Sequence, residues 1–365
     1  MFVRTEPIET AFVSPEEYER VRKILEDFYR FKVVDVKKFV EQTAASRVYK
    51  CALEDARTVV VKNNFWDGRK NRNAVYGLSE ILRKKGVALP EIFKTDDGKF
   101  EVRDKSAGDQ SWAVFAFAPG EHFMSRPEEF ESAGRALGIF HRCGLEIDQD
   151  LAKMSDATLM PYEESRDYYK SGLREKLLAE HECSVPDVCA AFRSKVELFE
   201  TTMQFVDSSG LDSPVLTRGF LHNDFHTNNC LFLPDGGFSA FLDIDQAGMG
   251  PIIWDIGNTV TSFVSNALGK NPQADIESLV RMFLMAYHRE CPLAAAEHEL
   301  ILAAGLRWDL LRILLSLRRH RFESNCPEVL LVKIKNRLLP RIEALPKILV
   351  FIKKDWIIDC IESNQ

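Results

Sequence analysis

Between Pro15 and Phe31, Tyr18, Val21, Leu25 and Phe28 recur at spacings of three and four, which is one apolar face of a helix. Ser14 suits its N-cap and Pro15 its first turn. The period then changes to that of strands. Val33–Val36 with Phe39, Arg47–Leu53 and Thr58–Lys62 read as a sheet, turned at Glu54-Asp55-Ala56. A helix follows from Asn73 to Lys85, stopped by Gly86, with Ala74, Leu78, Ile81 and Leu82 on one face and Glu80 toward solvent. Glu91–Phe93 and Lys99–Val102 read as strands about Asp96-Asp97-Gly98, and Ser111–Phe117 as another, ended by Ala118-Pro119-Gly120. Pro127–Cys143 has a helical stripe of Phe130, Ala133, Leu137, Ile139 and Phe140. Lys153–Asp212 reads as mostly helical, interrupted near Pro161 and Pro186, and so does the chain from Ala274 to its end.

One hairpin interrupts the helices. Cys230–Leu233 and Phe238–Leu242 are apolar runs joined by Pro234-Asp235-Gly236-Gly237, and the second run ends in Asp243-Ile244-Asp245. Just before it stands His222-x-Asp224-x-x-x-x-Asn229. A hairpin folds back on itself, so Asp243 is expected to return beside the loop that holds Asp224 and Asn229. That spacing suits phosphoryl transfer: Asp224 accepts the proton of an attacking hydroxyl, and Asn229 and Asp243 hold Mg²⁺ on nucleotide phosphates. Oxygen ligands with water and phosphate are what Mg²⁺ prefers. A rival chemistry uses His222, Asp224 and His226, with Asp243, as the Zn²⁺ or Fe site of a metallohydrolase. It leaves Asn229 and Lys62 without roles.

Composition narrows the partners. The 365 residues carry a net charge of −7, which argues against a nucleic-acid surface. No apolar run approaches the roughly 20 residues that span a membrane, and Ile348–Ile352 is too short. The eight cysteines form no C-x-x-C pair and read as reduced core thiols of a cytoplasmic protein. The basic run Arg318-Arg319-His320-Arg321 reads as a solvated face.

HNDFHTNN followed by FLDIDQAGMGPIIWDIGN resembles the aminoglycoside phosphotransferase and choline kinase-like superfamily, and the resemblance extends more weakly from about Phe39 to Gly257. It implies an α+β, bilobal, protein-kinase-like fold, with a nucleotide-binding lobe over 1–116 and a helical catalytic and acceptor-binding lobe over 117–365. It implies ATP and Mg²⁺, and a small-molecule hydroxyl as acceptor. Lys62 in VVVK matches the family's nucleotide-binding lysine, and Phe115, Ala116 and Ala118 fall at the adenine hinge. Asp245 assists a second Mg²⁺ or faces the acceptor, while His222 and Asp255 support the loop. Asp255 also opens a helix, where a carboxylate caps.

Two departures from the family pattern stand out. The loop Gln42-Thr43-Ala44-Ala45-Ser46-Arg47 has no glycine, so Thr43 and Ser46 hydroxyls stand in for close backbone N–H groups. The turn Asn73-Ala74-Val75-Tyr76 has no carboxylate, which leaves the acidic partner of Lys62 unassigned. A protein kinase would carry a Gly-rich loop, D-F-G and A-P-E, none of which is present. A nucleotide-binding pseudokinase is opposed by the intact Asp224, Asn229 and Asp243. The acceptor is not readable: choline or ethanolamine, aminoglycosides, sugars and homoserine all suit related sites. WDIGN resembles choline and ethanolamine kinases, and the acidic balance leans toward a cation.

Overall fold

The computed structural model describes residues 10–39, 46–64, 72–104, 110–148, 162–179 and 186–319. Residues 40–45, which hold most of the glycine-free loop, lie outside it. So do 149–161, the start of the region expected to be helical from Lys153, and 320–365, with His320 and Arg321 of the basic run.

The first part is an antiparallel sheet of six strands, ordered β1-β2-β3-β4-β6-β5. The strands are β1 (Thr10–Ala11), β2 (Val33–Phe39), β3 (Ser46–Leu53), β4 (Thr58–Asn64), β5 (Glu101–Asp104) and β6 (Gln110–Ala116). The expected strand at Glu91–Phe93 is reduced to one bridge, Ile92 to Phe115. Helix α1 (Pro15–Tyr29) covers one face of the sheet. Its start is closed by a capping box, in which Glu17 N–H donates to Ser14 Oγ at 3.1 Å and Ser14 N–H to Glu17 Oε2 at 3.3 Å. It buries Val21, Ile24, Leu25 and Tyr29, while Phe28 is exposed because Ile24 and Tyr29 take the inward turn.

Helix α2 (Arg72–Lys84) lies on the other side and joins the larger core. Glu80 is not toward solvent: its carboxylate accepts the Ile92 N–H at 2.9 Å and pairs with Arg83. That backbone donor, left over by the missing strand, is what draws it in. From β6 the chain runs through Ala116–Gly120. There Glu121 and Phe232 exchange backbone bonds of 2.9 and 2.8 Å. Gly120 sits at φ 137°, where a Cβ would stand 2.8 Å from Phe232 O.

The second part is mainly helical: α3 (Pro127–Leu145), α4 (Tyr162–Tyr168), α5 (Arg174–Leu178), α6 (Pro186–Arg193), α7 (Val196–Ser208), α8 (Ile253–Lys270), α9 (Ile276–Glu290), α10 (Ala295–His298) and α11 (Ile301–Arg319). Two close helix crossings organise it, and both use glycine. Gly134 and Gly138 of α3 lie against the backbone of Phe283 and Tyr287 in α9, and Gly257 of α8 lies against Gly305 of α11. Among these helices sit two short ribbons, β7 (Arg218–Leu221) with β10 (Gly248–Pro251), and β8 (Cys230–Phe232) with β9 (Phe238–Phe241). Cys51, Cys143, Cys230 and Cys291 are free and buried. Cys189 is disulfide-bonded, a departure from the expected reduced thiols. No helix among the described residues is long and apolar enough to cross a membrane.

Candidate active site

The loop from His222 to Asn229 is held from below by the start of α8. Asp255, 1% exposed, accepts the backbone N–H of His222 at 2.7 Å and of Asn223 at 2.8 Å. Behind it stand His141 at 3.2 Å and, on the other ring nitrogen, Tyr287. Asn258 Nδ2 and Thr259 Oγ1 donate to Phe225 O. Two buried backbone donors face one carboxylate here, and each charge-assisted bond contributes about twice a neutral one.

The hairpin returns as its turn residues require. Leu242 N–H donates to Asn229 O at 2.8 Å, and His222 Nε2 donates to Leu242 O at 2.9 Å. Asn223 Nδ2 donates to Gln246 O at 3.1 Å. Asn229 Nδ2 donates to the carbonyl of Asp224 at 2.9 Å and to its carboxylate at 3.2 Å. Asn223 and Asp243 are left-handed, at φ 62° and 56°, a sparsely populated state for side-chain-bearing residues that collects at functional sites.

The sheet supplies a cation from above. Lys62 is paired with Val48 on β3 and Ala113 on β6, so Lys62, Val48, Val60, Ala113 and Phe115 share one face, with Ser46 and Asn64 one step further along. Lys62 Nζ donates to Asp243 Oδ1 at 2.5 Å and to Asp245 Oδ2 at 2.8 Å. Desolvation opposes its charge, but the two carboxylates outweigh it and hold the ammonium above its usual pKa. The carboxylate partners of Lys62 therefore come from the hairpin and not from α2. Helix α2 contributes Tyr76 instead, whose hydroxyl donates to Asp245 Oδ1 at 2.7 Å, with Arg72 Nε 3.8 Å from the same carboxylate. Burial works against Asp245, yet Lys62, Arg72 and Tyr76 keep it below the usual carboxylate range. Desolvation and the Asp245 and Asp224 charges push Asp243 up against the pull of Lys62.

Asp224 has a partner that no local signal announced. Arg312 of α11 places Nη2 2.5 Å from Asp224 Oδ1, and its guanidinium lies 4.9 Å from the Trp308 ring centre. His226 Nε2 stands 3.7 Å from Asp224. His222 is fully buried and spent on a backbone carbonyl, so it does not join Asp224 and His226. Among the described residues no three His, Cys, Asp or Glu groups are arranged for a metal ion. A hard divalent cation asks for less, because waters and phosphate complete its shell. Two carboxylates and an amide carbonyl on adjoining backbone, at Asp243, Asp245 and Asn229, are a fitting set.

At the expected hinge, Ala116 N–H is already donated to Glu91 O at 2.8 Å and Phe117 N–H to Thr58 O at 3.3 Å. Phe115 meets Tyr76 edge to face at 5.6 Å and so closes the cleft from the sheet side. Ala118 lies just beyond, in the linker.

The model of a family described as "Phosphotransferase enzyme family" matches residues 38–299. No curated protein sequence matches. Among solved structures, the chain is similar to an amicoumacin kinase in complex with AMP-PNP, Ca²⁺ and Ami, at 16% identity and TM-score 0.63, covering 90% of this chain and 93% of that one. It is similar to a spectinomycin phosphotransferase in complex with ADP and spectinomycin, at 11% identity and TM-score 0.65, over 98% and 99%. It is also similar to a choline kinase from Streptococcus pneumoniae, at 16% identity and TM-score 0.56, over 91% and 99%. The α+β fold is that of these kinases.

Proposed function

Because this chain belongs to the phosphotransferase enzyme family, we propose that it transfers the γ-phosphoryl group of ATP to a hydroxyl of a small molecule. The observation that carries this reading is the meeting of Lys62 with Asp243 and Asp245 beside the Asp224–Asn229 loop. AMP-PNP, ADP and Ca²⁺ in the similar structures support a nucleotide and a divalent ion. The proposed division is a nucleotide lobe over 1–116 and an acceptor lobe over 117–365, and a need for ATP suits the cytoplasm.

Each residue then has a task. Asp224 orients the acceptor hydroxyl and takes its proton as the oxygen bonds to the γ-phosphorus. The bond from that phosphorus to the bridging oxygen breaks, and ADP leaves with the electron pair. Lys62 is displaced from the carboxylates toward the phosphates it neutralises. Asn229, Asp243 and Asp245 would hold Mg²⁺, which when bound neutralises phosphate charge. Ser46 stands at the mouth of the phosphate loop, Phe115, Ala116 and Ala118 border the adenine, and His222 and Asp255 keep the loop in place.

The test is Asp224→Asn. Turnover should fall by about 10²–10⁴-fold, the usual contribution of a positioned base, while MgATP affinity changes little. Acceptor-dependent ADP release and a MgATP titration, made on both proteins, decide it. Retained turnover in the variant rejects Asp224 as base.

A further inference from the structure

The carboxylate of Asp224 is held at both of its oxygens. Arg312 Nη2 donates to Oδ1 at 2.5 Å, and Asn229 Nδ2 donates to Oδ2 at 3.2 Å. His226 stands nearby. Its Nδ1 accepts the Asn228 N–H at 3.2 Å, so a neutral ring carries its proton on Nε2, 3.7 Å from Oδ1. Asn229 and His226 belong to the same loop as Asp224. Arg312 does not: it arrives from α11, 88 positions along the chain, on a side chain only 22% exposed.

That approach is built into the helices. Trp308, one turn before Arg312 on α11, is buried, and the guanidinium lies over its ring at 4.9 Å from the centre. Three residues earlier, Gly305 lets α11 press against Gly257 of α8. Helix α8 in turn carries Asp255, which accepts the backbone N–H groups of His222 and Asn223. One helix pair therefore holds the loop twice, by its backbone through Asp255 and by its working carboxylate through Arg312.

The charges close by give that second hold a purpose. Asp224 is near enough to Asp243 for its charge to push that carboxyl up, as Asp245 does too. Lys62 offsets Asp243 and Asp245, but in the kinase reading it turns to the phosphates when nucleotide binds. Arg312 comes from the helical side, always charged and with a planar fork that fixes a carboxylate's direction.

Resting on the kinase reading, we propose that Arg312 is a positioning residue for the phosphoryl transfer. It keeps Asp224 aimed at the acceptor hydroxyl and apart from Asp243 and Asp245, and it acts through Asp224 rather than on ATP or the acceptor. The acceptor oxygen bonds to the γ-phosphorus, its proton goes to Asp224, and ADP leaves with the electron pair of the broken bond. An ion pair made only for stability would leave the rate of the folded enzyme alone, and a substrate-binding arginine would move KM.

The experiment reads ADP release from MgATP, with water as acceptor and then with choline, ethanolamine, kanamycin, glucose and homoserine, keeping the fastest. In Arg312→Gln, kcat should fall by about 10- to 100-fold, the scale of one charged hydrogen bond, while KM for MgATP stays as in wild type. Arg312→Ala should fall similarly and recover on addition of free guanidinium at a non-denaturing concentration, but not of equal NaCl. In an Asp224→Asn background Arg312→Gln should cost almost nothing more, because the carboxylate through which it acts is gone. An unchanged kcat in a folded variant overturns the assignment, as does a rise in KM alone. The same fold loss in the Asp224→Asn background does so too. If Arg312→Gln does not fold, Arg312→Lys decides: charge without the fork should still lower kcat and not KM, and a wild-type kcat overturns the assignment. MgATP binding by the wild type without any ADP release also overturns it. Absence of any thermal shift with MgATP is a different failure: it removes the kinase reading, and the assignment with it.

Discussion

Tyr76 carries a phenol on α2, where the sequence offers no carboxylate near Lys62. Its hydroxyl reaches Asp245 rather than the lysine, so the lysine's carboxylate contacts come from the hairpin. A phenol donating to an ionised carboxylate in a buried place stabilises the charge without adding a second one. Tyr76→Phe keeps the ring packed against Phe100 and Phe115 but removes that donor. Chemical denaturation should show a loss of about 1–3 kcal/mol, the range for leaving a buried acceptor unsatisfied. The half-saturating Mg²⁺ concentration for ATP binding should rise as well, because Asp245 is then less firmly placed. A stability equal to wild type, with Mg²⁺ dependence unmoved, would show that the bond contributes nothing.

Among the described residues, two helix pairs meet closely through glycine. At Gly305 an added Cβ would meet Gly257 O at 2.8 Å and press against Thr261. Gly305→Ala must therefore part α8 from α11, and those helices carry Asp255 and Arg312. Overpacking of this kind costs about 1–3 kcal/mol, so the urea midpoint should fall with an unchanged slope. At α1 the relevant group is Glu17, which closes the capping box and also meets Lys38 at 2.8 Å and Arg47 at 3.4 Å. Partial burial opposes its charge, but Lys38, the Ser14 N–H and Arg47 hold it below the usual carboxylate value. A depressed pKa contributes stability above the unfolded value, here 4.5, that is lost as pH falls through the folded one. Glu17→Gln should therefore cost about 1 kcal/mol near pH 7, the scale of a helix cap. The difference should shrink as pH falls below 4.5 and vanish at an acid pH where the folded-state carboxylate is itself protonated. Parallel stability curves at both pH values would refute that assignment.

For the whole molecule, the cleft between sheet and helices is closed by Lys62 bridging to the hairpin. Nucleotide binding to that cleft should stabilise the native chain by about 2.7 kcal/mol at a hundredfold excess of MgATP over its dissociation constant. Calorimetry or dye-monitored melting measures this directly. In Lys62→Ala the gain from MgATP should shrink far more than the gain from adenosine, since only the phosphates lose a partner. Equal losses for both ligands would make Lys62 a structural residue.

The sequence by itself determined the elements and the local part of the cleft. Periodicity marks the strands of the sheet, and Ser14, Pro15 and Glu17 write the start of α1. The turn Pro234-Asp235-Gly236-Gly237, with Gly236 at φ 86°, makes the chain return, so Asp243 comes back to Asn229 by covalent necessity. The strand expected at Glu91–Phe93 failed because one bridge was all its neighbours could offer, and Glu80 turned inward to serve it. What only the tertiary structure decided are contacts between residues far apart in sequence. Lys62 meets Asp243 across 181 positions, and Arg312 meets Asp224 across 88. Neither has a period or a spacing to announce it, since a side chain's long-range partner depends on how helices and sheet pack. A net charge of −7 is a sum over the surface, whereas α8 and α11 bring Arg307 and Arg312 together with Trp254 and Trp308 at one place beside Asp224.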